Sequence, residues 1–296
     1  AACSMPLANA QFISMGESVI KQISSPFMHA PCSGLRCLLL DPMADAELLR
    51  WVYQLAPEGA PQWASLFHNT VYAELAEHGP VIVLCDQAGE MADYASTLLD
   101  QSNAGCVLYL DSLRLWSEAV LHCQSLLTVT TDQQHQQLMR FYEPRWLEPL
   151  LTNLESQELN TFFGPFAGVA WRNELGWRYI ARAEDWNGEV QKPGWLRLGA
   201  LRQEQITQAR LQIIATELVG DYRSVLDMPE PSVYVYQQLL AAQAEGVNQK
   251  AHFERWLRLA LIHKGENWPT STARAVLART DLVMAGKLDE LERLQG

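Results

Sequence analysis

Three short apolar runs, residues 35–40, 81–85 and 106–110, constrain this chain more than any other feature. Each is too short for an ordinary helix and lacks the apolar–polar alternation of a half-exposed strand, which is the pattern of a strand buried on both faces. Such strands need cover on two sides, and the intervening segments carry helical spacing. Residues 44–55 place Leu48, Leu49 and Val52 near one face, and residues 65–77 place Leu66, Val71 and Leu75. Residues 88–99 continue the pattern. Residues 113–123 bring Leu113, Trp116, Val120 and Cys123 into register behind a possible cap at Asp111-Ser112. Residues 126–131 and 137–142 read as a hairpin around 132–136, Phe162-Phe163-Gly164-Pro165 as a turn, and 177–181 as a late strand. Strands alternating with helices predict an α/β lobe, a mixed sheet with flanking helices.

After Gly199 the strand signal ends. Ile206, Ala209, Ile213 and Leu218 form a helical stripe, Asp227-Met228-Pro229-Glu230-Pro231 breaks it, and residues 232–245 form the next helix. Phe253, Trp256, Leu257, Ala260 and Leu261 then recur at i, i+3, i+4, i+7 and i+8. Another helix begins at Thr270-Ser271 behind Pro269. The expected organisation is a loosely ordered N-terminal arm (1–34), an α/β domain (35–200) and an all-helical lobe (201–296).

One stretch links the two kinds of pattern. Between Gln137 and Leu147, alternating Leu138, Met139, Arg140, Phe141 and Tyr142 suggest a strand, and Pro144 ends it because proline has no N–H for a ladder. Proline also suits the first turn of a helix, which residues 145–154 continue. Glu143 stands where a carboxylate meets the positive end of that helix, and Arg140 and Arg145 flank it. A strand-to-helix corner with a local ion-pair cluster follows.

The formal net charge of −12 disfavours nucleic acid and anionic membrane as partners. From Asp41 to Glu118 there are twelve acidic residues against two basic ones, Arg50 and Arg114. That imbalance serves solubility or steers a basic partner. No apolar run approaches the roughly 20 residues of a membrane span, and the first ten residues have no basic-then-apolar leader. A cytoplasmic protein is expected, and its six cysteines, none in a Cys-x-x-Cys pair, fit a reducing compartment. Gly-x-Ser-x-Gly, phosphate-loop, Gly-x-Gly-x-x-Gly and His-Glu-x-x-His motifs are all missing. Glu118 and His122 share a helix face but lack a third member for acid–base or metal chemistry. No enzyme activity, cofactor or metal is expected.

The ordered set Leu38-Leu39-Leu40-Asp41, Ser65-Leu66-Phe67, Gly79-Pro80-Val81-Ile82-Val83, Arg140-Phe141-Tyr142-Glu143-Pro144-Arg145 and Phe162-Phe163-Gly164-Pro165 resembles the type VI secretion effector chaperones, the Tap or Tec adaptors. The resemblance covers residues 35–177. Where the family usually has Asp before the proline, this chain has Glu143. Where it has His-Leu-Arg, this chain has His122-Cys123-Gln124. The resemblance implies an adaptor without chemistry of its own, which binds a secreted toxic effector in the producing cell and loads it onto the VgrG spike. The alternatives are an immunity-type inhibitor of a toxin and a small hydrolase using a cleft between the lobes. As partner-binding positions the sequence offers Arg140, Tyr142, Glu143 and Arg145 at the corner. It also offers Phe253, Trp256 and Leu257 in the helical lobe, if their stripe is not simply core.

Overall fold

The computed structural model describes residues 20–28, 35–56, 61–86, 88–101, 104–263 and 268–294. The chain divides into two units, Ala1–Glu204 and Gln205–Gly296.

The first unit is α/β. Its strands in chain order are β1 (Lys21–Ile23), β2 (Arg36–Leu40), β3 (Trp63–Ser65), β4 (Val81–Cys85), β5 (Gly105–Leu110), the hairpin β6 (Thr128–Thr131) and β7 (Gln136–Leu138), then β8 (Phe166–Asn173), β9 (Gly176–Ala181) and β10 (Arg197–Leu198). Seven form one sheet in the order β1-β9-β8-β5-β2-β4-β3, antiparallel at every pair. Mixed pairing is confined to a small sheet, where β6 lies antiparallel to β7 and parallel to β10. The three apolar runs are the centre of the large sheet, and every residue of β2 and β5 is buried.

Two helix layers explain that burial. On one face Leu38, Leu40, Val83 and Val107 pack with Leu48 and Val52 of α1 (Leu48–Gln54) and Ala92, Ala95 and Leu99 of α2 (Glu90–Gln101). The opposite face carries Cys37, Leu39, Cys106 and Trp171. It meets α3 (Trp116–Leu126) through Cys123, beside Cys37 and Cys106, and α4 (Pro144–Asn153) through the Trp171 indole, which donates to Glu148 Oε2 at 2.8 Å. α5 (Ser156–Phe163) follows and packs on β8.

Several expectations need correction. Residues 65–77 are not a helix: β3 ends at Ser65, turns follow, and only Ala73–Leu75 makes a single 3-10 turn. Asn69 takes a left-handed φ of 59°, and the Thr70 hydroxyl donates to Phe67 O while accepting from Tyr72 N. Such local side-chain bonds offer the backbone an alternative to the helix. Val71 and Leu75 are consequently exposed. α1 starts late because Asp45 Oδ1 accepts from Glu47 N in a preceding turn, and within the helix Leu48 and Val52 are buried while Leu49 is exposed. α3 likewise begins only at Trp116, since Asp111 accepts from Leu113 N and holds a turn there. Of the segment read as an arm, residues 20–28 are described and include β1, the edge strand on β9. Both Arg36 Nε and the Tyr109 hydroxyl donate to Pro26 O and tie that segment to the sheet.

The second unit is helical: α6 (Ala200–Asp221, beginning just inside the first unit), α7 (Pro231–Ala244), α8 (Lys250–Ile262), α9 (Ser271–Leu277) and α10 (Met284–Arg293). Thr270 caps α9 by accepting from Ala273 N. The stripe of α8 is core: Phe253, Trp256 and Leu257 are fully buried among Leu218, Val235, Leu239, Leu277 and Leu288. Their expected role as partner anchors is therefore corrected, because those side chains already have their apolar partners within the unit.

Candidate functional site

The corner before α4 is a turn rather than the end of a strand. β7 stops at Leu138, Met139 N donates to Leu127 O, and Glu143 N closes a turn on Arg140 O. The expected alternation through Tyr142 fails because Met139, Phe141 and Tyr142 are all buried. Phe141 packs edge-on against Phe162 of α5 at 6.1 Å and against Tyr142 at 5.9 Å. Pro144 takes the first position of α4, as its fixed φ and missing N–H suit.

Around that turn the charged groups interlock. Glu143, at the N-cap, lies 3.7 Å from both Arg140 and Arg145. Arg140 also pairs with Asp41 at the end of β2, whose other oxygen accepts from Met43 N. The Arg140 guanidinium stands over the Tyr142 ring at 5.6 Å. Burial opposes its charge, but Tyr142, Asp41 and Glu143 outweigh that and hold its pKa above the usual arginine value. Burial pushes the Tyr142 phenol up to about 12, so it stays protonated at neutral pH. Of the four corner candidates, only Arg140 is exposed. Tyr142 is buried, and Glu143 and Arg145 are half-buried in the ion-pair cluster.

The other motif segments meet in pairs. Leu66 N donates to Pro80 O, and a Cβ at Gly79 would strike the Phe67 ring at 2.4 Å, so the Ser-Leu-Phe and Gly-Pro segments fit only with glycine there. Leu40 lies opposite Val81 in the β2–β4 ladder, which brings Asp41 beside the same rim. Gly164 ends α5 at φ 50°, and a Cβ on it would strike the His122 ring at 2.4 Å.

His122 is a structural residue that sequence reasoning paired wrongly. Its Nε2 lies 2.7 Å from Phe162 O, the ring packs against Phe166 and Trp186, and burial pushes its pKa down to about 4. Glu118 instead accepts from Leu115 N, with Arg114 at 3.9 Å. Among the described residues, no group of three or more His, Cys, Asp or Glu is placed to hold a metal ion, and no helix is long and apolar enough to cross a membrane. A cavity of about 330 Å³ opens beyond β4, lined by Leu55, Val83, Cys85, Asp86 and Met91 among others. Its Cys85 thiol donates to Asp86 O, and burial pushes it up to about 12, far from a reactive thiolate.

Sequence reasoning also missed the exposed residues of the 66–79 loop. The interrupting signal was Asn69-Thr70, two residues prone to local turns. Comparison with curated proteins and with solved structures returned no match. Over residues 38–161, the span holding most of these interlocked segments, the chain is similar to the family described as Domain of unknown function (DUF4123).

Proposed function

We propose that this chain is a non-catalytic adaptor that binds a type VI secretion effector in the cytoplasm and loads it onto the VgrG spike. The observation that carries the reading is the agreement between the family match over residues 38–161 and the pairing of the motif segments that resemble the Tap and Tec adaptors. Phe67 meets Gly79, Asp41 meets Arg140, and Phe141 meets Phe162. Motif residues used in this way maintain a scaffold common to a family, while recognition of individual partners lies elsewhere. Every such motif precedes residue 200. The α/β unit is accordingly assigned the shared task at the spike, and the helical unit the choice of effector.

The test is co-expression of the full chain with the products of its neighbouring reading frames. The expected result is a stable complex with a toxin-gene product whose toxic activity survives, and association with a spike protein. Loss of toxin activity in the complex would move the chain to the immunity class. Absence of binding to both products would end the adaptor reading. Exchanging residues 205–296 with those of a related adaptor is expected to exchange the effector bound. A chimera that keeps its first effector would refute the division of labour.

A further inference from the structure

The 66–79 loop is held firmly from beneath, yet it presents apolar side chains to solvent. Gln124 Nε2 of α3 donates to His68 O at 2.8 Å, Ser65 Oγ donates to Ala76 O at 3.1 Å, and the Tyr72 and Thr128 hydroxyls are 3.1 Å apart. On this support Val71 is 81% exposed and Leu75 52%. Leu121 and Leu138 are exposed on the elements the loop is tied to. Leu121 lies one turn before Gln124, and Leu138 lies opposite Thr128 in the small sheet. Singly exposed aliphatic groups are ordinary on a protein surface, but four on elements tied to one another form an apolar patch, the kind of feature that marks an interaction site.

The charge of the same surface is equally one-sided. Glu74 and Glu77 are exposed and make no ion pair among the described residues. By contrast Asp41, Asp100, Asp111 and Glu118 of the same acidic stretch have arginine partners. No lysine or arginine occurs between Arg50 and Arg114 to neutralise the two glutamates locally.

We propose that this loop, with Leu121 and Leu138 beside it, is the docking surface for a cationic amphipathic helix of a partner protein. The apolar stripe of such a helix would cover Val71 and Leu75, while its flanking lysines or arginines face Glu74 and Glu77. The inference deepens the adaptor reading and rests on it for the partner's identity, a spike segment of that chemistry, because the surface lies in the α/β unit.

The test titrates the purified full chain with a fluorescent synthetic amphipathic peptide of lysine and leucine, and with a glutamate–leucine peptide of the same pattern. Saturable binding is expected for the first peptide only. The double substitutions Val71→Ser with Leu75→Ser, and Glu74→Gln with Glu77→Gln, should each weaken it by about tenfold. Glu90→Gln with Asp93→Asn removes the same charge from the exposed start of α2 and should leave binding unchanged. Equal weakening by that control, or undiminished binding by the serine variant, overturns the proposal. If the native chain holds its effector and spike protein and both complexes survive both loop variants, the surface is wrong and the adaptor reading stands. If the peptide pattern is as expected but neither neighbouring product binds, the adaptor reading falls and the surface remains.

Discussion

The two units differ in how far along the chain their longest charge pairs reach, although each also holds pairs within four residues. In the α/β unit, guanidinium–carboxylate pairs join segments that are far apart: Asp41 with Arg140 across 99 residues, and Asp111 with Arg182 across 71. Arg182 also donates to Gly164 O and Phe166 O, so one side chain ties three segments of the sheet's end together. In the helical unit, Arg255 reaches Asp289 and Glu292 at 2.6 and 2.8 Å, and Arg279 reaches Asp281 and Glu290. There the carboxylates are mostly exposed, with Glu217 beside Lys250 the buried exception. The difference follows from backbone accounting. A helix satisfies its own N–H and C=O groups, so its packing is governed by the apolar stripe and its charges sit outside. A sheet ends in turns whose direction nothing internal determines, and there a partly buried ion pair fixes where the chain goes.

The comparison can be broken first at its apolar side. Trp256→Ala removes a fully buried indole from the helical core and is expected to cost about 3–5 kcal/mol in urea unfolding. A cost below about 1 kcal/mol would mean that the α8 stripe is not the core of its unit. Acid sharpens the comparison from the other side. His122 titrates at 6.5 when unfolded and at about 4 when folded, so the folded state binds fewer protons between those values. Stability from this residue is complete above pH 6.5 and declines by up to about 3 kcal/mol as pH falls to 4. Chemical denaturation across that range should show the decline, and a His122→Gln variant, though weaker, should lack it. An unchanged slope in the variant would place the pH dependence elsewhere. The smallest effects set ion pair against ion pair. Glu143→Ala removes a half-buried carboxylate that faces both Arg140 and Arg145 and should cost about 1–3 kcal/mol, whereas Glu292→Gln at the helical surface should cost less than about 1 kcal/mol. Equal thermal shifts for these two variants would remove the distinction between the units.

Legibility differed along the chain for related reasons. Runs such as 81–85 and 106–110 were readable as buried strands because covered strands must be apolar on both faces. The α8 stripe and the Pro144 helix start were readable because helical spacing and proline's missing N–H are local properties. Residues 65–77 misled because their apolar spacing matched a helix, while Asn69 and Thr70 had nearer hydrogen-bond partners in a turn. Residues 139–142 misled in the same way, since Phe141 answers to Phe162 across the fold and not to a neighbouring strand.

By itself, then, the sequence determined the fold class, the centre of the sheet and the helical character after residue 200, all of which rest on short-range periodicity and burial. The tertiary structure alone decided that Arg140 meets Asp41, that His122 meets Phe162 and not Glu118, and that Val71 and Leu75 face solvent. Those outcomes depend on which distant segments share a rim or a layer. Periodicity records which side of an element is apolar, but it carries no information about what that side, or a turn between elements, will meet.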